Sequence, residues 1–177
     1  MRRPLPFALP LVALVALAGC QTLDTLPTER VGQATLRTAT GSPAGTAQLL
    51  ASGSQVTITV AAAGLTAGTH GTHLHMVGSC EGPAFTSAGG HLNPHMKQHG
   101  TDNPAGAHLG DLPNLVVGAA GAGTVSATLA GTREAVLSQI FDADGTAVVI
   151  HADADDYRTD PAGNAGGRIA CGVLTRA

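Results

Sequence analysis

The chain has no tryptophan, one tyrosine and three phenylalanines among 177 residues, and only three cysteines. An interior without large rings must be filled by Val, Ile, Leu and Ala. With 24 glycines and 10 prolines available for turns, that favours many short strands over long helices. Basic charge is scarce: 9 Lys+Arg face 12 Asp+Glu and no basic stripe occurs, so nucleic acid is not an expected partner. Long apolar runs are missing too. The stretch Leu9–Leu17 is too short to span a bilayer, and Pro4, Pro6 and Pro10 interrupt any longer helix. The length suits one domain with a respectable core.

Residues 1–19 read as a removable leader, with Arg2 and Arg3 as the positive start, the short apolar run, and a small-residue exit. Without those two arginines the balance is nearer -5, from 7 basic against 12 acidic residues. The ending Leu17-Ala18-Gly19-Cys20 resembles a bacterial lipobox, which implies cleavage before Cys20 and lipid on its sulfur and new amino terminus. Residues 20–30 then form a lipidated tether, and the expected location is the bacterial cell envelope, membrane-attached and facing the periplasm or the cell surface. With Cys20 lipidated, Cys80 and Cys171 are the two left in an oxidising compartment, and a disulfide between them is expected. Closing a loop of ~90 residues stabilises a fold by roughly 4 kcal/mol in chain-entropy terms.

Strand signals recur at regular spacing over Val31–Thr38, Thr46–Ala51, Gln55–Val60, Thr69–Val77, Leu112–Val117, Gly123–Ala130, Thr146–Ala152 and Arg168–Thr175. Only Arg133–Phe141 has the look of a short helix. The set predicts an all-β fold, an eight-stranded antiparallel barrel or flattened sandwich with Greek-key connections. Two stretches escape this pattern, Gly78–Gly110 and Asp153–Gly167. They are long and rich in Gly, Asp, Asn and Pro, and loops of that length are usually functional or disordered.

The histidines point to function. His73, His75, His91, His99, His108 and His151, with Asp111, occur in an order and spacing that reads as two neighbouring metal sites sharing one ligand. His73 and His75 are two apart on a strand and face one side, and His151 ends the apolar strand Ala147–Ile150. A loop folded around an ion has reason to collect imidazoles, because the metal replaces the missing apolar core. Imidazole suits copper and zinc, and an added carboxylate suits zinc. His91-Leu92-Asn93-Pro94-His95 imitates a helical histidine pair, but Pro94 breaks such a helix and the glutamate of H-E-x-x-H is absent, which disfavours a zinc protease.

The segments Thr69-His70-Gly71-Thr72-His73-Leu74-His75, Ser87-Ala88-Gly89-Gly90-His91-Leu92-Asn93-Pro94, His108-Leu109-Gly110-Asp111-Leu112-Pro113-Asn114 and Gly163-Asn164-Ala165-Gly166-Gly167-Arg168-Ile169-Ala170-Cys171-Gly172 resemble the copper-zinc superoxide dismutases. With Asp155-Asp156-Tyr157-Arg158 the likeness is to the exported bacterial branch, over roughly Val31 to Thr175. The resemblance implies copper on His73, His75, His91 and His151, and zinc on His91, His99, His108 and Asp111, with His91 bridging. It also implies that Asp155 links a copper histidine to a zinc histidine, that Arg168 attracts the anion superoxide, that Cys80 and Cys171 are bonded, and that His70 is structural. The implied activity is disproportionation of superoxide to dioxygen and hydrogen peroxide, with His91 and Arg168 taking part.

Three departures stand out. Thr72 occupies a position usually aromatic in relatives, His95 is an extra imidazole, and the Asp153–Gly167 loop carries four Asp against one Arg, which predicts weaker steering. Two other readings stay open: a noncatalytic copper/zinc-binding envelope lipoprotein, which has no use for Arg168, and an interaction module, which needs no metal. Quaternary state, monomer or homodimer, is not legible.

Overall fold

The computed structural model describes residues 27–177. The expected leader, the lipidation at Cys20 and the start of the tether lie outside the described residues. The tether's last residues, Thr28 to Arg30, belong instead to the first strand, because they pair with Ser52, Ala51 and Leu50. Strands β1 (Thr28–Thr38), β2 (Pro43–Ser52) and β3 (Gln55–Ala63) form an antiparallel meander. Their alternation is plain in β3, where Val56, Ile58, Val60 and Ala62 are buried and the residues between them are not.

The remaining strands are β4 (Gly68–His70), β5 (Thr72–His75), β6 (Leu115–Val117), β7 (Ala122–Thr128), β8 (Ala147–His151), β9 (Arg168–Val173) and β10 (Thr175–Arg176). One curled sheet runs in the order β5-β8-β9-β1-β2-β3-β7, with β10 also on β1, and β4 pairs with β6 in a second small sheet. The return of β7 to the side of β3, after β4 to β6 intervene, is the long connection of a Greek key. Leu36, Leu49, Ile58, Leu74, Leu115, Val148 and Ile150 meet in one core. Helix α1 (Arg133–Ile140) is capped by Thr132, whose Oγ1 accepts from Ala135 N, and closes the core with Val136 and Ile140. Among the described residues, no helix is long and apolar enough to cross a membrane.

Two expected strands are each interrupted. Thr69–Val77 becomes β4 and β5 in different sheets, broken at Gly71, whose N–H donates to Asp153 O while its carbonyl accepts from His151 N. A side chain there would press on Ala165 at 2.7 Å. Arg168–Thr175 breaks at Leu174, whose N–H turns to Thr146 O. The Cys80–Cys171 disulfide is formed, with Cα atoms 5.7 Å apart.

Candidate metal centre

Every residue of β5 and β8 is buried, because both faces of this strand pair are covered. Register places His73 opposite Val149, and His75 opposite Ala147. Leu74, Val148 and Ile150 therefore enter the main core, while His73, His75 and His151 share the other face with a second apolar cluster of Phe85, Ala88, Ala147, Val149 and Cys171. A register shift between Ile150 and His151 brings His151 opposite Arg168 of β9. Irregularities of this kind re-aim side chains next to functional sites.

The long loop adds its ligands by running alongside β5. Leu92 N donates to Leu74 O, Leu74 N to Gly110 O and Gly110 N to Leu92 O, which brings His91 beside His75 and Asp111 beside His73.

Two clusters of donor atoms result. In the first, His73 Nδ1 and the Nε2 atoms of His75, His91 and His151 are buried without any hydrogen-bond partner. The donor atoms of these four residues lie within 4.8 Å of one another. The opposite ring nitrogens are occupied: His73 Nε2 donates to Asp155 Oδ2 at 2.8 Å, His75 Nδ1 to Gly89 O at 2.9 Å and His151 Nδ1 to Gly166 O at 3.2 Å. Each ring proton is thus held outward and each inner lone pair faces its neighbours. Four unsatisfied buried acceptors are costly unless a cation joins them, and an all-imidazole donor set suits copper.

In the second cluster, Asp111 Oδ1 lies 2.9 Å from His91 Nδ1, 3.0 Å from His99 Nδ1 and 3.1 Å from His108 Nδ1. His91 Nδ1 and His108 Nδ1 are 3.4 Å apart. The Nε2 atoms of His99 and His108 already donate, to Asp155 Oδ1 at 2.9 Å and to Lys97 O at 3.1 Å. In the neutral rings their Nδ1 atoms therefore carry lone pairs, which repel a carboxylate unless a cation sits between. A tetrahedral ion with bonds of ~2.0–2.1 Å separates its ligands by about 3.3 Å, close to these distances, and three imidazoles with one carboxylate suit zinc. His91 alone contributes to both clusters, Nε2 to the first and Nδ1 to the second.

Burial, above all, lowers the pKa of His75 to about 2, of His91 to about 4 and of His151 to about 3. Asp111 moves the other way from what burial alone would give. The hydrogen bond from His91 and the amides of Gly100 and His108 outweigh burial and hold its carboxyl well below the ordinary range. Asp155 is likewise held low against burial, by His73 and His99. At neutral pH the rings of His75, His91 and His151 are unprotonated and the Asp111 and Asp155 carboxylates charged, the forms that ligate metal. The grouping of His73, His99 and Asp155 needs no ion of its own, since both rings donate to that carboxylate.

A cleft of about 580 Å³ opens onto the first cluster, lined by His75, His91, His151, Arg168, Met76 and Lys97. Arg168 is fixed by Phe85 O and Gly89 O, each 2.6 Å from its guanidinium. The lining also includes Asp142, Asp144 and Asp160, so part of the acidic surround comes from the α1–β8 connection rather than from the β8–β9 loop.

The seven residues read as ligands in the sequence are all brought together, and Asp155 and Arg168 lie beside them. His95 is exposed and belongs to neither cluster. The side chains of His70 and Thr72 stay out of both: the His70 ring lies 2.8 Å from His151 O and 3.0 Å from Thr66 O, and Thr72 is fully buried with its hydroxyl 3.4 Å from His70 O. Sequence reasoning gave no role to Gly163, where a Cβ would overlap Asp155 Oδ1 and lie 2.6 Å from His99 Nε2 at φ 61°. It gave none to Asn114 or Tyr157 either, although all three stand inside segments that carry the family likeness.

The family model for copper/zinc superoxide dismutase (SODC) matches residues 43–174. A superoxide dismutase-like protein, YojM, of Bacillus subtilis is 50% identical over 106 residues, 59% of this chain and 54% of that protein, so the match spans about half of that relative's length. A Cu-Zn superoxide dismutase of Aquifex aeolicus is 42% identical over 137 residues, covering 76% of this chain and 80% of that protein. The crystal structure of a SOD-like protein from Bacillus subtilis superposes with a TM-score of 0.71 at 40% identity, over 81% of this chain and 97% of that one.

Proposed function

This chain belongs to the copper/zinc superoxide dismutase family, whose metals are copper and zinc, and we propose that it is a working dismutase, turning two superoxide anions and two protons into dioxygen and hydrogen peroxide. The observation that carries this reading is the single ring of His91 offering one nitrogen to each donor cluster, with Arg168 beside the cleft that leads to it. His73, His75, His91 and His151 would hold copper; His91, His99, His108 and Asp111 would hold zinc. When bound, copper supplies one-electron exchange and zinc, which has no redox chemistry, shapes the loop and draws on the second nitrogen of His91.

The residues themselves bind, aim and deliver protons. Arg168 offers a positive field in an acidic surround, and its two backbone anchors leave the guanidinium little freedom to swing away from an incoming anion. Asp155 and the carbonyls of Gly89 and Gly166 keep the rings at a fixed tilt. His91 lines the cleft, and burial lowers the pKa of its ring to about 4, so a proton placed on it passes readily to a strongly basic product.

The test is superoxide decay followed by stopped flow with copper- and zinc-loaded protein. Fast catalysed decay is expected, and Arg168→Ala should lower kcat/KM on the order of 10-fold and flatten its dependence on salt. Decay no faster than free buffer, with both metals bound, would favour the noncatalytic metal-holding reading that the likeness to a protein named only superoxide dismutase-like keeps in view. The leader-like start and Cys20 support placing the enzyme in the bacterial envelope on a lipid anchor, where the Cys80–Cys171 bond is stable.

A further inference from the structure

The one tyrosine of the chain, Tyr157, sits two residues beyond Asp155 in the loop between β8 and β9. Its backbone is left-handed, φ 62°, a region that a bulky residue enters only when its surroundings hold it there. Three bonds do so. Tyr157 N donates to Asp155 Oδ1 at 2.7 Å, its phenol oxygen accepts from Asn114 N at 2.8 Å, and its carbonyl accepts from Asp102 N at 3.0 Å.

Asn114 completes the frame. Its Nδ2 donates to Asp155 O at 2.9 Å and its Oδ1 accepts from Asp155 N at 2.8 Å. The residue whose carboxylate joins His73 to His99 is therefore gripped on its backbone by Asn114 and on its side chain by Tyr157, and the phenol ties those two grips to each other. Asp102 belongs to the loop that carries His99 and His108, so the same tyrosine also fixes that loop against the β8–β9 loop.

We propose that Tyr157 is a positioning residue: its phenol, anchored on the Asn114 N–H, sets the Asp155 carboxylate between the two metal clusters and thereby tightens the hold on zinc. The inference rests on reading His91, His99, His108 and Asp111 as the zinc ligands. It extends that reading to a residue two hydrogen bonds removed from the proposed zinc ligand His99.

Tyr157→Phe keeps the ring and deletes only the hydroxyl. Zinc affinity, measured by competition with a chromogenic chelator, is expected to fall about 10-fold, at the lower end of the 10–100-fold effects of such outer partners. The EPR spectrum of bound Cu(II) should shift in the same protein through the Asp155–His73 contact, while the melting temperature of the metal-free chain stays nearly unchanged. Unchanged zinc affinity, or an equal loss of stability with and without metal, overturns the proposal, because the hydroxyl is then merely structural. A double-mutant cycle keeps the question decidable. In an Asp155→Ala background the phenol has no carboxylate to position, so Tyr157→Phe should add no further loss of zinc affinity, and an additive loss contradicts the mechanism. Wild-type protein that binds no zinc overturns both this inference and the reading it rests on, whereas normal wild-type binding with an unaffected Tyr157→Phe overturns this one alone.

Discussion

A His151→Ala protein is expected to fold, keep its zinc and lose superoxide turnover to background. The fold survives because β8 is held by Val148 and Ile150 in the main core and by its ladders to β5 and β9, none of which uses the imidazole. Zinc survives because no atom of His151 lies in the His91, His99, His108, Asp111 cluster. Copper does not keep its place, since one of four inward lone pairs is gone and a cavity replaces a ring that is 3% exposed. Metal analysis, circular dichroism and stopped-flow decay on one preparation check all three points. Copper retained with full turnover would mean that the four-imidazole assignment is wrong.

Removing the disulfide by the paired changes Cys80→Ser and Cys171→Ser should destabilise the protein by about 4–5 kcal/mol, the chain-entropy value for a loop of ~90 residues. Urea unfolding of oxidised and serine-substituted protein measures it. The effect should reach function as well. Cys80 begins the loop that contains Phe85 and Gly89, whose carbonyls hold Arg168, and Gly89 O also takes the proton of His75. Once that loop is released, kcat/KM should fall toward the level of Arg168→Ala. Stability and turnover both unchanged would show that the loop is held without the bond.

Much of this could be read from the chain before its structure, where a simple period was at work. β3 announces itself because Val56, Ile58 and Val60 alternate with polar residues, and the same period of two puts His73 and His75 on one face. The loop ligands were legible for a different reason: imidazoles and a carboxylate are rare enough to be noticed as a set. Where the period failed, so did the boundaries. Nothing local says that Gly71 divides one apparent strand between two sheets, because the cause is the Asp153 carbonyl and the Ala165 side chain, far along the chain.

The supports of the site were hidden by the same rule. Asn114 and Tyr157 act through side-chain bonds to backbone across 41 and 43 residues, which leave no periodic trace. Gly163 acts by lacking a side chain beside Asp155 and His99. The acidic loop expected to weaken steering is partly spent on itself. Asp156 accepts from Arg158 N, Thr159 N and Asn164 Nδ2, and Asp155 is buried under its histidine donors. The acids that do line the cleft include Asp142 and Asp144, from a segment to which the sequence assigned no part.

The shared ring of His91 is tested most directly by EPR on protein carrying Cu(II) in the four-imidazole cluster and paramagnetic Co(II) in the zinc position. One ring bonded to both ions couples their spins, and the Cu(II) signal should collapse relative to a Cu(II)/Zn(II) sample of equal copper content. A Cu(II) signal of full intensity beside bound Co(II) would contradict the bridge and the two-metal centre built on it.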